Sequence, residues 1–234
     1  MMNSLSIQGV HFSTEQYTDA LYPQHQVIMP ESVRQAATKR KAEFLAGRVA
    51  AQAACSAYYS HLLLPQILLP QIGIGPLRGP LWPAGINGSI THCHLPSGEG
   101  IALAACGPCN KLIGIDAEVI FSPQLAAETA EQFVDETERA LIQSAQITVD
   151  YHVAMTAVFS AKESFFKAVA PVLGFYFDFD AIKLIKIESQ QLSFEIVDFL
   201  SEPFHAGIAI DIDFMVIDNA FVITSLCMNR PETN

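Results

Sequence analysis

Basic residues are scarce in this chain. It has 13 Lys and Arg against 24 Asp and Glu in 234 residues, a formal net charge of -11 and a pI near 4.9. This balance argues against long nucleic acid as a partner, because counterion release needs many cations on one face. A small anionic ligand is not excluded, since a pocket can be locally basic on an acidic protein. No unbroken apolar run is long enough for a spanning helix, which needs about 20 residues. The greasiest stretch, Leu62 to Ile74, is interrupted by Pro65 and Pro70. A cationic start followed by an apolar core is also missing, so no signal peptide is expected and the cytoplasm is the expected compartment. The mean hydropathy of +0.29 leaves loose membrane association open. The five cysteines are odd in number and irregular in spacing, which argues against a disulfide framework. His92-x-His94 has no further Cys or His at ligand spacing, so a transition-metal site is not expected.

Half of the residues are hydrophobic, enough for a sizeable core in one large domain or two small ones. Residues 1–30 read as two short strands with loops. Pro30 before Glu31-Ser32 can open a helix. Ala36 to Tyr59 lacks proline, is rich in alanine and carries Phe44, Leu45, Val49 and Cys55 at helical spacing, which predicts a helix. A Pro/Gly-rich loop with Trp82 follows, from Pro65 to Gly88. Residues 89–92 read as a short strand. Residues 100–105 and 111–118 read as a hairpin turned at Gly107-Pro108-Cys109-Asn110. Residues 123–145 are polar and helix-prone, and Val149 to Ala170 predicts a long apolar helix ending before Pro171. Strands are expected at 181–187, 191–199, 206–217 and 220–228, the last two joined by an Asp218-Asn219 turn. The element order is an α+β plan repeated in each half.

Chemistry concentrates in residues 114–167. Asp116 and Glu118 are two apart at the end of an apolar strand, so both carboxylates share a face. Adjacent carboxylates repel unless a cation or proton lies between them. Mg²⁺ takes one or two carboxylates together with phosphates and waters. The bland alternative is an acidic strand end in solvent. Glu163 and Lys167 are i and i+4 on the long helix, which is also the spacing of an ordinary surface ion pair. Phe159, Phe165, Phe166 and Val169 around them predict burial, and a buried charge needs a partner. A metal for Glu163 and a phosphate for Lys167 would supply one. Lys162 is expected to point elsewhere, into solvent. Arg48, amid the first long helix, is either a phosphate-binding fork or an arginine snorkelling at the helix edge. His92 can donate to phosphate oxygens. Cys106-Gly107-Pro108-Cys109 has the form of a redox motif, but strand-like residues follow it rather than a helix, so a turn is the better reading.

Four segments together resemble the 4′-phosphopantetheinyl transferase superfamily, in its single-chain branch serving enterobactin-type and surfactin-type synthetases. They are Arg40-Lys41-Ala42-Glu43-Phe44-Leu45-Ala46-Gly47-Arg48, Pro80-Leu81-Trp82-Pro83-Ala84-Gly85 running into Gly88-Ser89-Ile90-Thr91-His92-Cys93, Ile113-Gly114-Ile115-Asp116-Ala117-Glu118, and Phe159-Ser160-Ala161-Lys162-Glu163-Ser164-Phe165-Phe166-Lys167. Ala117 and Thr91 depart from the commonest pattern without removing a ligand atom.

The resemblance implies two similar α+β halves, residues 1–118 and 119–234, related by a pseudo-twofold axis with the active site in the cleft between them. It implies transfer of phosphopantetheine from coenzyme A to a serine of an apo carrier domain in nonribosomal peptide, polyketide or fatty-acid biosynthesis, by a monomer using Mg²⁺. It assigns Asp116, Glu118 and Glu163 to the metal, Lys167 to the pyrophosphate, His92 to coenzyme A phosphate, Thr91 to coenzyme A binding, and Arg48 and Arg40 to the 3′-phosphate. Glu163 and Lys167 would be catalytic. Carrier docking is expected to rest on apolar contact and a few local cations such as Lys39 and Lys41. The competing readings are a non-catalytic coenzyme A or carrier-binding module and a thiol redox protein using Cys106 and Cys109.

Overall fold

A computed structural model describes residues 5–62, 71–145 and 150–231. The chain divides into two compact units, Met1–Ile113 and Gly114–Asn234. Each is α+β, with one long helix laid on an antiparallel sheet.

In the first unit β1 (Ser6–Ser13), β4 (Ile86–His94) and β5 (Glu99–Pro108) form a three-stranded sheet in the order β1-β5-β4. Helix α3 (Thr38–His61) packs on all three strands. Its alanines allow this: Ala50, Ala51 and Ala54 are buried with Cys55, Tyr58 and Ile72 against Ala104 and Cys106. Small side chains bring helix and sheet close at little entropic cost. Two single-turn helices, α1 (Leu21–Gln24) and α2 (Glu31–Arg34), precede α3. The second strand expected before residue 30 is absent among the described residues, and α1 occupies part of that stretch. Pro30 is the cap residue of α2, with φ -66° and ψ 151°. Where a continuous loop was expected, β2 (Gly73–Ile74) pairs with β3 (Pro80–Leu81). The Pro65 end of that loop lies outside the described residues.

The expected hairpin is not formed. Strand β6 (Lys111–Val119) follows β5 after a two-residue turn, yet β5 pairs with β1 and β4, and β6 neighbours β10. Strand pairing is chosen by which apolar faces find a helix to cover them, and four turn-forming residues do not decide that.

The second unit holds a five-stranded sheet in the order β6-β10-β9-β8-β7, with β7 (Ile182–Ile187), β8 (Gln191–Ile196), β9 (Ala209–Ile217) and β10 (Phe221–Asn229). Alternation in β9 is clean: Ile210, Ile212 and Phe214 are buried while Asp211, Asp213 and Met215 are exposed. Asp218 and Asn219 have φ of 52° and 51°, and the Ala220 N–H donates to the Ile217 carbonyl, so the expected turn is present.

Helices α4 (Pro123–Thr129), α5 (Glu136–Ser144) and α6 (Tyr151–Leu173) complete this unit. Ser122 caps α4, and Asp135 with Glu138 forms a reciprocal capping box on α5. Helix α6 runs through Pro171, which stands in its last turn, and stops at Gly174, whose φ of 78° is the left-handed cap. The Val149 start expected for this helix lies outside the described residues. Among the described residues no helix is long and apolar enough to cross a membrane.

Candidate active site

Strand β6 and helix α6 meet at Gly114. A Cβ there would collide with the Ser164 carbonyl oxygen, so only glycine lets the helix backbone lie this close to the strand. Two residues further on, Asp116 is buried, at 2% exposure. This excludes the solvent-facing strand end. Its Oδ1 accepts from Lys167 Nζ at 2.5 Å and its Oδ2 from Ser160 Oγ at 2.7 Å. The i, i+4 spacing on α6 thus presents Lys167 to a carboxylate of the neighbouring strand rather than to Glu163 alone.

Glu118 and Glu163 belong to the same electrostatic group. Burial pushes the Glu118 carboxyl up to about 7, helped by the charge of Asp116; Lys167 opposes this and Glu163 adds to it. Burial likewise raises Glu163, with Lys167 lowering and Asp116 raising it. Three carboxyl groups outnumber the one ammonium, so ionising all of them in this poorly hydrated place calls for a hard divalent cation. The donor chemistry therefore fits Mg²⁺. Among the described residues no three such side chains already stand close enough together to hold an ion.

Lys162, adjacent to Glu163, is not solvated. It is 1% exposed, and its Nζ donates to Glu138 Oε1 at 2.8 Å and to the Phe133 carbonyl at 2.7 Å. Glu138 also accepts from the Leu184 and Asp135 N–H groups. The reason is tertiary: α5 delivers a carboxylate that the helical pattern of α6 cannot reveal.

The first unit gathers a second set of polar groups. Arg40 Nη1 lies 3.2 Å from His92 Nε2. Arginine offers no acceptor, so Nε2 accepts and Nδ1 carries the proton. Nδ1 in turn faces Glu43 Oε1 at 3.9 Å. Glu43, which the motif reading passed over, is buried and also faces Lys39 at 3.9 Å and Arg40 at 4.0 Å. Its spacing from both cations on one helix was the available signal. Thr91 and His92 are adjacent on β4 and project to opposite faces, Thr91 buried and His92 partly open.

Arg48 does not snorkel. It is buried, donates from Nη2 to the Gly73 carbonyl at 2.9 Å and stacks 4.3 Å from the Phe44 ring. Desolvation lowers its pKa to about 10, with the charge of Arg40 acting the same way. Cys106 is buried in β5 and Cys109 is exposed. A hydrogen bond with Cys55 and burial push the Cys106 thiol well up, opposite to what a thiolate nucleophile needs.

This is an α+β protein in which three carboxylates and a lysine share one electrostatic centre. Residues 29–106 match the 4′-phosphopantetheinyl transferase N-terminal domain, and residues 112–215 match the 4′-phosphopantetheinyl transferase superfamily. The chain is 31% identical to enterobactin synthase component D of Salmonella austin, over 82% of this chain and 76% of that protein. It is 35% identical to the protein of that name from Salmonella typhi, over 71% and 64%. It is 36% identical to the 4′-phosphopantetheinyl transferase Svp of Streptomyces mobaraensis, over 72% and 65%. The chain belongs to the 4′-phosphopantetheinyl transferase superfamily. It spans between about half and two thirds of the length of several curated relatives that it matches.

Proposed function

We propose that this chain transfers the 4′-phosphopantetheine group of coenzyme A to a serine of an apo carrier domain and releases adenosine 3′,5′-bisphosphate. The carrying observation is Asp116, held between Lys167 and Ser160 beside two carboxylates whose pKa values are raised. Family membership supports the same reading. Asp116, Glu118 and Glu163 would hold Mg²⁺, which when bound supplies charge neutralisation for pyrophosphate oxygens.

The serine oxygen bonds to the β-phosphorus, and the bond from that phosphorus to the bridging oxygen breaks. The leaving group carries away the electron pair. Glu163, directly or through a water, takes the serine proton. Lys167 places a fixed cation where phosphoryl charge builds. In the first unit, His92 and Arg40 offer nitrogen donors to coenzyme A phosphates. Arg48 anchors Gly73 through Nη2 and stacks on Phe44, while its buried Nε, without a hydrogen-bond partner among the described residues, is left to serve the 3′-phosphate. Thr91 would back the same strand from its other face.

Magnesium as the cation, a monomeric enzyme, cytoplasmic action and a carrier in a siderophore or related pathway belong to this proposal. Lys39 and Lys41 already face Glu43 and Asp19. Carrier docking therefore rests on apolar contact more than on steering, and the transfer rate is flat or rising with salt.

The test is intact-mass measurement of peptidyl and acyl carrier domains after incubation with the protein, coenzyme A and Mg²⁺. A mass gain on at least one carrier is expected, and none on any overturns the reading. Asp116→Ala and Glu163→Gln should each lower kcat/KM by roughly 10²–10³-fold, the scale for removing a group that meets transition-state charge. Full rate in either would remove that residue from the chemistry.

A further inference from the structure

Behind Asp116 lies a chain of three hydroxyls, all fully buried: Ser160 and Ser164, one turn apart on α6, and Thr224 on β10. Ser160 Oγ donates to Asp116 Oδ2 at 2.7 Å and lies 2.9 Å from Thr224 Oγ1. Thr224 Oγ1 lies 2.7 Å from Ser164 Oγ, which is also 3.2 Å from the Thr224 carbonyl oxygen.

Counting protons gives the chain a direction. An ionised carboxylate only accepts, and each hydroxyl owns one proton. The Ser160 proton is therefore committed to Asp116. The contact between Ser160 and Thr224 then uses the Thr224 proton, and the contact between Thr224 and Ser164 uses the Ser164 proton. The bonds run Ser164→Thr224→Ser160→Asp116, each polarising the next. The Thr224 carbonyl is the longer, competing acceptor for Ser164.

Ser160 and Ser164 are embedded among Ala157, Ala161, Phe165 and Ala168, all buried. Alanine would fill either position without a polar atom to satisfy, and a hydrogen bond between neutral groups adds little net stability. The geometric result is larger than the energetic one. Ser160 holds Oδ2 from one side while Lys167 meets Oδ1 from the other, so the plane of the carboxylate is fixed.

We propose that Ser160, Thr224 and Ser164 are positioning residues that, opposite Lys167, fix the orientation of the Asp116 carboxylate for a divalent cation. The inference rests on the transferase reading for its cation. A carboxylate held in one plane suits the tight octahedral demand of Mg²⁺, whereas Ca²⁺ accepts a more flexible geometry. The hydroxyl chain is thus a discriminator between these ions as well as a brace.

Mn²⁺, an octahedral stand-in for Mg²⁺ visible by electron paramagnetic resonance, is titrated into the protein with coenzyme A present, and Ca²⁺ is then used as competitor. Ser160→Ala should weaken Mn²⁺ about tenfold, the lower end for losing a hydrogen bond behind a metal ligand. It should also shift the Ca²⁺-to-Mn²⁺ affinity ratio toward Ca²⁺ by about the same factor. Thr224→Val, which keeps the shape but breaks the chain, should move both in the same direction by a smaller factor, and Thr224→Ser should restore them. Thermal midpoints report folding independently; if Ser160→Ala fails to fold, Thr224→Val and its Ser partner carry the test.

Unchanged Mn²⁺ affinity and an unchanged ion ratio in the folded breaking variants overturn the proposal, even where the wild type transfers normally. A wild type that binds Mn²⁺, loses it in Asp116→Ala and transfers nothing overturns the transferase reading alone. A wild type that binds no Mn²⁺ overturns the hydroxyl proposal.

Discussion

Helices α3 and α6 are of nearly equal length, 24 and 23 residues, and each lies on an antiparallel sheet, yet they handle charge in opposite ways. On α3 the cations Lys39 and Arg40 are half-exposed and stand 3.9 and 4.0 Å from Glu43, too far for hydrogen bonds. Such pairs contribute about 0–1 kcal/mol and exchange partners readily. On α6, Lys162 and Lys167 meet their carboxylates at 2.8 and 2.5 Å, and Glu138 and Asp116 are both buried. Breaking a buried pair strands a charge, so it holds geometry rather than exchanging. One helix leaves its cations half-exposed and loosely paired; the other fixes the directions of its charged side chains in advance.

The largest expected effect tests the buried side of that contrast. Lys162→Met should cost about 3–5 kcal/mol of unfolding free energy, because Glu138 is left buried without its cation. Lys39→Met on α3 should cost less than about 1 kcal/mol. Denaturant titrations giving equal losses would break the comparison.

Gly114→Ala comes next. The added methyl meets backbone at Ser164, which cannot rotate away, so a loss of about 1–3 kcal/mol is expected in the same titration. An unchanged midpoint would show that α6 can move off β6.

For the exposed side, His92→Ala should raise the KM for coenzyme A about tenfold, worth about 1.4 kcal/mol, with kcat and thermal midpoint nearly unchanged. A fall in midpoint instead would make the Arg40–His92–Glu43 group structural and erase the contrast with α6.

The smallest effect concerns the cap of α5. Asp135→Ala should lose about 1 kcal/mol near neutral pH. The Glu138 backbone N–H is the main cause holding the Asp135 carboxyl below its usual 3.8, with Lys183 assisting. A lowered carboxylate contributes stability above 3.8 and loses it as pH falls through the folded value. The wild type and the alanine variant should therefore converge in strong acid, and a constant gap down to that pH would contradict the capping role.

Much of this was legible in the residues themselves. The alanine-rich spacing of α3, the apolar run of α6, the alternation of β9 and the Asp218-Asn219 turn are local patterns, and local patterns follow from backbone geometry. Four short motifs also sufficed to indicate the family. What the residues concealed was partnership. Phe133 and Glu138 meet Lys162, and Leu184 holds Glu138, only once α5, α6 and β7 are packed together. Ser160 and Ser164 stand out as hydroxyls at i, i+4 on an apolar helix, but Thr224, which links them, arrives from a strand some sixty residues away.

The sequence alone determined that Asp116 and Glu118 share a face and that Glu163 and Lys167 share a helical stripe, because strand and helix periods leave no alternative. The tertiary structure decided that β5 and β6 part into different sheets, that Lys162 is buried, and that Asp116 sits between Lys167 and a chain of hydroxyls. Those outcomes depend on which faces exclude water together, and that is a property of the packed chain rather than of any segment.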